Sequence, residues 1–270
     1  MKNGNSWNYP GYRVAMVKSE VFGTRPSLLK PILVDLPDIT LFTDLWLITA
    51  IEKINPDPLS RYLLIKECLS REEFFQTDLN LLQPFLKKSV PHWLIHLDDG
   101  KVLLEWEETP YEEVTEDELV NRIIRETGCR LKPGKGKGSA QASPFSRFFR
   151  DKMGGGFSLT DIDYLAVKND RLAIFEEKSF LSDTGGLVGF GQYLSFAEIH
   201  ADVVREPESI MWWLVFSSEG KFLIYDASAN GFPERETIKH KRWGRMVEIP
   251  SKELEKVSEG EFKQRVLEFF

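Results

Sequence analysis

The stretch of residues 158–180, SLTDIDYLAVKNDRLAIFEEKSF, constrains this chain most, because it alternates and turns as a buried β-hairpin does. Its first strand sets Asp161, Asp163, Leu165 and Val167 on one face and Ile162, Tyr164 and Ala166 on the other. Lys168, Asn169 and Asp170 make the turn. The return strand sets Leu172, Ile174, Glu176 and Lys178 on one face and Ala173, Phe175 and Glu177 on the other. A hairpin apolar on both faces belongs inside a sheet covered on both sides, which predicts an α/β fold.

Charges at the end of such a hairpin are costly unless they hold an ion. Carboxylate oxygens are the ligands Mg²⁺ prefers, one or two of them with water and substrate phosphate completing the shell. Asp163 and Glu176 fit that description. The alternative is a solvated hairpin end, where Asp163, Glu176 and Lys178 form a surface ion pair worth little.

An Asp on one hairpin strand and Glu-x-Lys on the next resembles the motif of the PD-(D/E)XK nuclease superfamily. The Asp is Asp163, and Glu176, Glu177 and Lys178 are the second half; Ile162 stands where the motif has proline. The resemblance implies a restriction-endonuclease-like core, a mixed sheet of about five strands flanked by helices. It also implies Mg²⁺ as cofactor, with Mn²⁺ able to substitute.

Composition sets outer bounds. At 270 residues, the chain has length for one large domain or two smaller ones. Hydrophobic residues at 42% and charged residues at 29% are those of a globular protein. No apolar run is long enough to span a membrane, and the opening MKNGNSWNYPG lacks a signal-peptide core, so a cytoplasmic location is expected. Cys68 and Cys129 form neither a disulfide framework nor a zinc signature and are expected to be buried thiols. The net charge of −7 conceals segregation. Residues 98–118 hold ten acids and one lysine, whereas residues 129–152 hold seven bases and one acid. A basic stretch beside an acidic metal cluster is compatible with a phosphodiester substrate, and also with ordinary surface charge.

Residues 1–110 are expected to form an N-terminal α+β accessory domain and residues 111–270 the nuclease domain, with the break marked by Pro110 in an acidic linker. Residues 12–21 and 29–36 read as strands, residues 40–54 and 59–69 as helices. In SREEFFQ, Ser70 and Glu73 form a capping box. A helix over 78–90 follows, then a hairpin LIHLDDGKVLLEW turning at Asp98, Asp99 and Gly100. Helix, helix, hairpin resembles a winged-helix module. Its recognition helix, DLNLLQPFLKKSV, is poor in bases and interrupted at Pro84, which favours a structural or dimer-forming role over DNA contact. His92 and His96 have no third ligand at metal-site spacing.

Thr115 with Glu118 makes another capping box, opening a helix that Gly128 ends. Leu119, Val120, Ile123 and Ile124 form its stripe, and Glu116 lies on the same face as a candidate third metal ligand. Here the core resembles the archaeal Holliday junction resolvases, which place a Glu before such an apolar pair and follow it with a strand, a basic loop ending in Gly-Ser, and the hairpin. The loop KPGKGKGS has neither the P-loop nor the dinucleotide spacing. Arg130, Lys132, Lys135 and Lys137, extended by Arg147, Arg150 and Lys152, suit contact with backbone phosphates; a solvated loop is the other reading. An inserted segment carries a helix, SPFSRFFRDK.

After Lys178 a glycine-rich stretch leads into a helix with Gln192 near its start, where the resemblance places a glutamine that steadies the site. SIMWWLVFS and KFLIYDA read as strands, RETIKHKRWGR as a basic segment in which Trp243 stacks on a base or packs an edge, and the tail as an amphipathic helix burying Phe262 and Val266. The resemblance therefore implies a metal-dependent nuclease acting on DNA phosphodiester bonds, an endonuclease of restriction, structure-specific or repair type. Asp163 and Glu176 would hold the metal, with the main-chain carbonyl of Glu177 and Glu116 assisting and Asp161 in reserve; Lys178 and Gln192 would position water. Cleavage of both strands calls for a homodimer with twofold symmetry. A non-catalytic DNA-binding or assembly protein that keeps the nuclease fold is the rival from another class.

Overall fold

The computed structural model describes residues 8–9, 12–13, 27–50, 61–106, 110–128, 131, 143–153, 156–178, 185–206, 209–218, 221–240 and 244–270. In chain order they form β1 (Asn8–Tyr9), β2 (Tyr12–Arg13), α1 (Leu29–Val34), β3 (Thr40–Phe42), β4 (Leu45–Ala50), β5 (Tyr62–Glu67), α2 (Arg71–Gln76), β6 (His92–Asp98), β7 (Lys101–Trp106) and β8 (Glu112–Thr115). There follow α3 (Glu116–Thr127), α4 (Pro144–Lys152), β9 (Phe157–Ile162), β10 (Tyr164–Lys168), β11 (Arg171–Lys178), β12 (Gly185–Gly189), α5 (Phe190–Glu198), β13 (Met211–Ser218) and β14 (Lys221–Asp226). The last elements are α6 (Ala227–Asn230), β15 (Thr237–His240), β16 (Gly244–Pro250), β17 (Glu255–Val257) and α7 (Glu259–Phe269).

The fold is α/β, with mixed sheets and helices. The chain divides into two compact units: Met1–Leu41, Leu165–Asp202 and Glu206–Phe270 make the first, Phe42–Tyr164 and Val203–Arg205 the second. The break expected near Pro110 falls inside the second unit, where the acidic stretch joins two paired strands, β7 and β8, of one sheet. No helix among the described residues is long and apolar enough to cross a membrane.

The second unit is built on a six-stranded sheet in the order β8-β7-β6-β5-β4-β9, in which β5 and β6 run parallel. The stretches expected to be helical around β4 and β5 are strands, and all six residues of β5 are buried. An unbroken apolar run such as Tyr62–Ile65 fits a central strand as well as a buried helix, and pairing to neighbours on both sides decides it. With strands in place of those helices, the described residues form no winged-helix module. The segment expected as a helix over 78–90 is a 3₁₀ turn, Leu79–Phe85, containing Pro84. The β6–β7 hairpin forms as expected, with Asp99 (φ 45°) and Gly100 (φ 85°) both in the left-handed region a tight hairpin turn requires. At α2, Ser70 accepts from the Glu73 amide, but the Glu73 carboxylate takes the Leu69 amide at 2.7 Å rather than closing the box. At α3 both halves of the Thr115–Glu118 box are present and Gly128 ends the helix at φ 61°. Helices α3 and α4 bury Leu119, Ile123, Phe145 and Phe149 in one cluster with Ile48, Ile65 and Ile95 of the sheet.

The first unit holds a six-stranded sheet in the order β17-β14-β13-β11-β10-β3 and a three-stranded sheet β12-β16-β15. The hairpin of β10 and β11 turns at Asn169, whose φ of 55° matches a turn position. Beyond it β13 lies parallel to β11, reached through β12 and α5. The segment at 29–36, expected as a strand, is helix α1; Leu29, Ile32 and Leu33 are buried at helical spacing, and Pro31 sits in the first turn, where no intrahelical amide bond is lost. On one face of the sheet Phe262 of α7 meets the rings of Phe175, Trp213 and Phe222 at 5.8, 5.5 and 5.3 Å. On the other, Phe196 of α5 meets Trp212 at 6.0 Å. Strand β12 passes so close over this face that a Cβ on Gly186 would stand 2.4 Å from the Phe216 ring, so only glycine fits there.

Candidate active site

Strand β11 alternates across its sheet, and its last residues divide by face. Ile174, Glu176 and Lys178 point to the α5 side, while Phe175 and Glu177 point to the α7 side. The register places Glu176 beside Leu214 and Lys178 beside Phe216 of the parallel strand β13, so both charges stand on a sheet floor that is otherwise apolar. Glu176 is 1% exposed and Lys178 9%. Lys178 Nζ donates to Glu176 Oε1, and Gln192 Nε2 donates to the same oxygen at 2.9 Å. The ammonium also lies 5.5 Å from the centre of the Phe196 ring. Gln192 and Phe196 are four residues apart on α5, hence on one helix face, and together they close over the pair.

Glu177 does different work. Its carboxylate accepts from Ser27 Oγ at 2.5 Å, from the Leu28 amide at 3.0 Å and from Ser217 Oγ at 3.3 Å, tying the start of α1 to the sheet. Sequence reasoning missed Ser27 and Ser217, because their approach depends on sheet order and leaves no local trace. Phe196 was legible in principle from its spacing to Gln192.

The remaining candidates are dispersed. The strand expected to run unbroken through residues 158–167 is two strands: β9 pairs with β4 in the second unit, β10 belongs to the sheet containing β11, and Asp163 lies between them outside both. Asp161 is on β9, opposite Trp46 and exposed. Glu116 does not aim into the core; it pairs with Lys152 of α4 at 3.5 Å, and Lys152 also holds Asp117 at 3.0 Å. Arg147 is exposed on α4, and Arg150 donates to Ser146 Oγ at 3.0 Å. Arg130, Lys132, Lys135, Lys137, Cys129 and Trp243 lie outside the described residues. Among the described residues no group of three or more His, Cys, Asp and Glu side chains is placed to hold a metal ion. Mg²⁺ needs only one or two protein carboxylates, and Glu176 supplies one, whose Oε1 already accepts from Lys178 and Gln192.

His92 and His96 are both buried on β6, and His96 Nδ1 lies 2.9 Å from the Cys68 carbonyl. Cys68 is a buried thiol pushed up to about 11 by burial. Beside it Glu67, 1% exposed, accepts from the Phe145 amide at 2.8 Å, in the first turn of α4, and from Trp46 Nε1 at 3.1 Å. Burial raises the Glu67 carboxyl above its ordinary value of 4.5, against the pull of those bonds. The folded chain therefore keeps this proton to higher pH than the unfolded chain. Ionisation at neutral pH penalises folding, and the penalty is relieved as pH falls through the raised value. Relative to Glu67→Gln, which cannot titrate, the natural chain should gain stability as pH is lowered from 7 towards 4.5 in denaturant titrations. A constant difference across that range would show that the carboxyl titrates normally.

No protein-family model, no curated protein and no solved structure matches this chain.

Proposed function

We propose that the chain is a metal-dependent nuclease that hydrolyses DNA phosphodiester bonds, with a restriction-endonuclease-like core in its first unit. The observation that carries this is the Glu176–Lys178 pair on β11 bonded to Gln192 of the next helix. Support also comes from the connection around it: a hairpin, a helix, then a strand parallel to β11. Glu176 would hold Mg²⁺, and Asp163 is the second ligand that the sequence motif names. When bound, such an ion polarises phosphoryl oxygens and lowers the pKa of water. The chain's own contribution is positioning. Lys178 is held by Glu176 and lies against the Phe196 ring, which fixes its amine for a phosphate or an attacking water, and Gln192 orients the carboxylate. A duplex cutter of this kind would act as a twofold dimer.

The near-complete burial of Glu176 favours one rival, a non-catalytic DNA-binding protein that keeps the pair as a structural element. A panel of labelled single-stranded, duplex, flapped and four-way-junction DNA with Mg²⁺ or Mn²⁺ separates the two. Cutting by the natural chain that is lost in Asp163→Ala and in the double variant Glu176→Gln, Lys178→Met is the expected result. Cleavage retained by the folded double variant would sink the assignment, and binding without cutting would favour the rival.

A further inference from the structure

The second unit carries a cationic cavity that the nuclease reading does not use. After the 3₁₀ turn Leu79–Phe85 the chain runs beside residues 203–205, held by the Leu86–Val204 bridge, by the Lys87 amide on the Val203 carbonyl at 2.9 Å, and by the Arg205 amide on the Phe85 carbonyl at 2.8 Å. These main-chain ties fix the backbones from which Lys87 and Arg205 project. Between the two segments is an open cavity of about 530 Å³, whose wall includes Gln83, Lys87, Lys88, His92 and Arg205. None of the described residues lining it is acidic. His92 is 7% exposed and Leu86 and Val90 are buried, while Lys88 and Arg205 are exposed and Lys87 is half-buried, so the cations stand at the cavity's solvent side over an apolar wall. Two lysines and an arginine gathered at one cavity run against the average of a chain with net charge −7.

We propose that this cavity binds a phosphomonoester dianion. An arginine fork beside two lysine point charges matches a group with three acceptor oxygens and two charges, and the carboxamide of Gln83 supplies further donors. A cavity of this size exceeds what a bare phosphate fills and leaves room for the group that bears it. The phosphate can come from a free nucleotide or from the 5′ end of a nucleic-acid strand, and the chemistry at the cavity is the same. The inference stands independently of the nuclease assignment.

The test is binding to the full chain in EDTA, where no metal-dependent cleavage intrudes. The probes are inorganic phosphate, AMP, and a 3′-labelled single-stranded oligonucleotide with either a 5′-phosphate or a 5′-hydroxyl. The variant is Lys87→Gln with Arg205→Gln; neither residue is buried, and a thermal melt checks the fold. Phosphate is expected to compete with the 5′-phosphorylated strand, and the phosphorylated strand to bind at least tenfold tighter than the hydroxyl form, with the preference lost in the double variant. AMP binding without any strand preference would also support the site and identify a free nucleotide as its ligand. Equal binding of the two strands with no phosphate or AMP binding would overturn the proposal, as would a double variant that binds like the natural chain.

Discussion

Lys178→Met is expected to destabilise the chain by about 3–5 kcal/mol, because it strands a buried carboxylate. Glu176 is 1% exposed and loses its ammonium partner in this variant, while the bond from the Gln192 carboxamide remains. Adding Glu176→Gln to that variant removes the charge left behind. Because neutral replacement of a whole buried pair is commonly close to neutral, the double variant should recover most of the loss. Denaturant unfolding of the natural chain, both single variants and the double variant closes the cycle. Strictly additive losses would mean that the two side chains do not depend on each other, against the geometry. The same set divides structure from chemistry: the double variant regains stability and, on the nuclease reading, does not regain cleavage.

The second large effect is expected at Phe262, where truncation to alanine should cost about 3–5 kcal/mol. Phe262 is fully buried, and its ring meets Phe175, Trp213 and Phe222, which come from β11, β13 and β14. Those rings are held by three adjacent strands and cannot collapse into the space, so the cavity term persists. Helix α7 keeps its Ser258–Glu261 capping box in the variant, which preserves its local helical start while removing the side chain that docks it. All these residues are in the first unit. Hydrogen exchange should therefore accelerate in β11, β13, β14 and α7 and change little in β4 to β7. Equal acceleration in both units would show that they unfold as one.

Local signals carried well from sequence to structure. The Asp99-Gly100 turn, the Thr115–Glu118 box with Gly128, helix α4 from SPFSRFFRDK, and α7 with Phe262 and Val266 inward all depend on residues within a few positions of each other. Helix and strand were confused where apolar residues are continuous, as in LWLITA and YLLI, since such runs satisfy either period. Within the site, Glu176, Lys178 and Gln192 were legible because an ExK strand followed by a helix is a short-range pattern, and the structure brings those three side chains together. Glu116 was misread because the face of a helix does not reveal that a lysine from a later helix waits beside it.

What the amino-acid order alone determined was therefore local: turns that need a left-handed residue, caps that need an oxygen three residues from an amide, and the alternation that separates Glu176 and Lys178 from Glu177. Tertiary structure decided what depends on distant partners. The break at Asp163 between strands of two sheets, the burial of Lys66 and Glu67 on β5, the Ser27 and Ser217 bonds to Glu177, and the cations gathered from residues 87, 88 and 205 all arise from strand pairing across long separations. Pairing energy is earned only when neighbouring strands are in place, so no short window of sequence contains it.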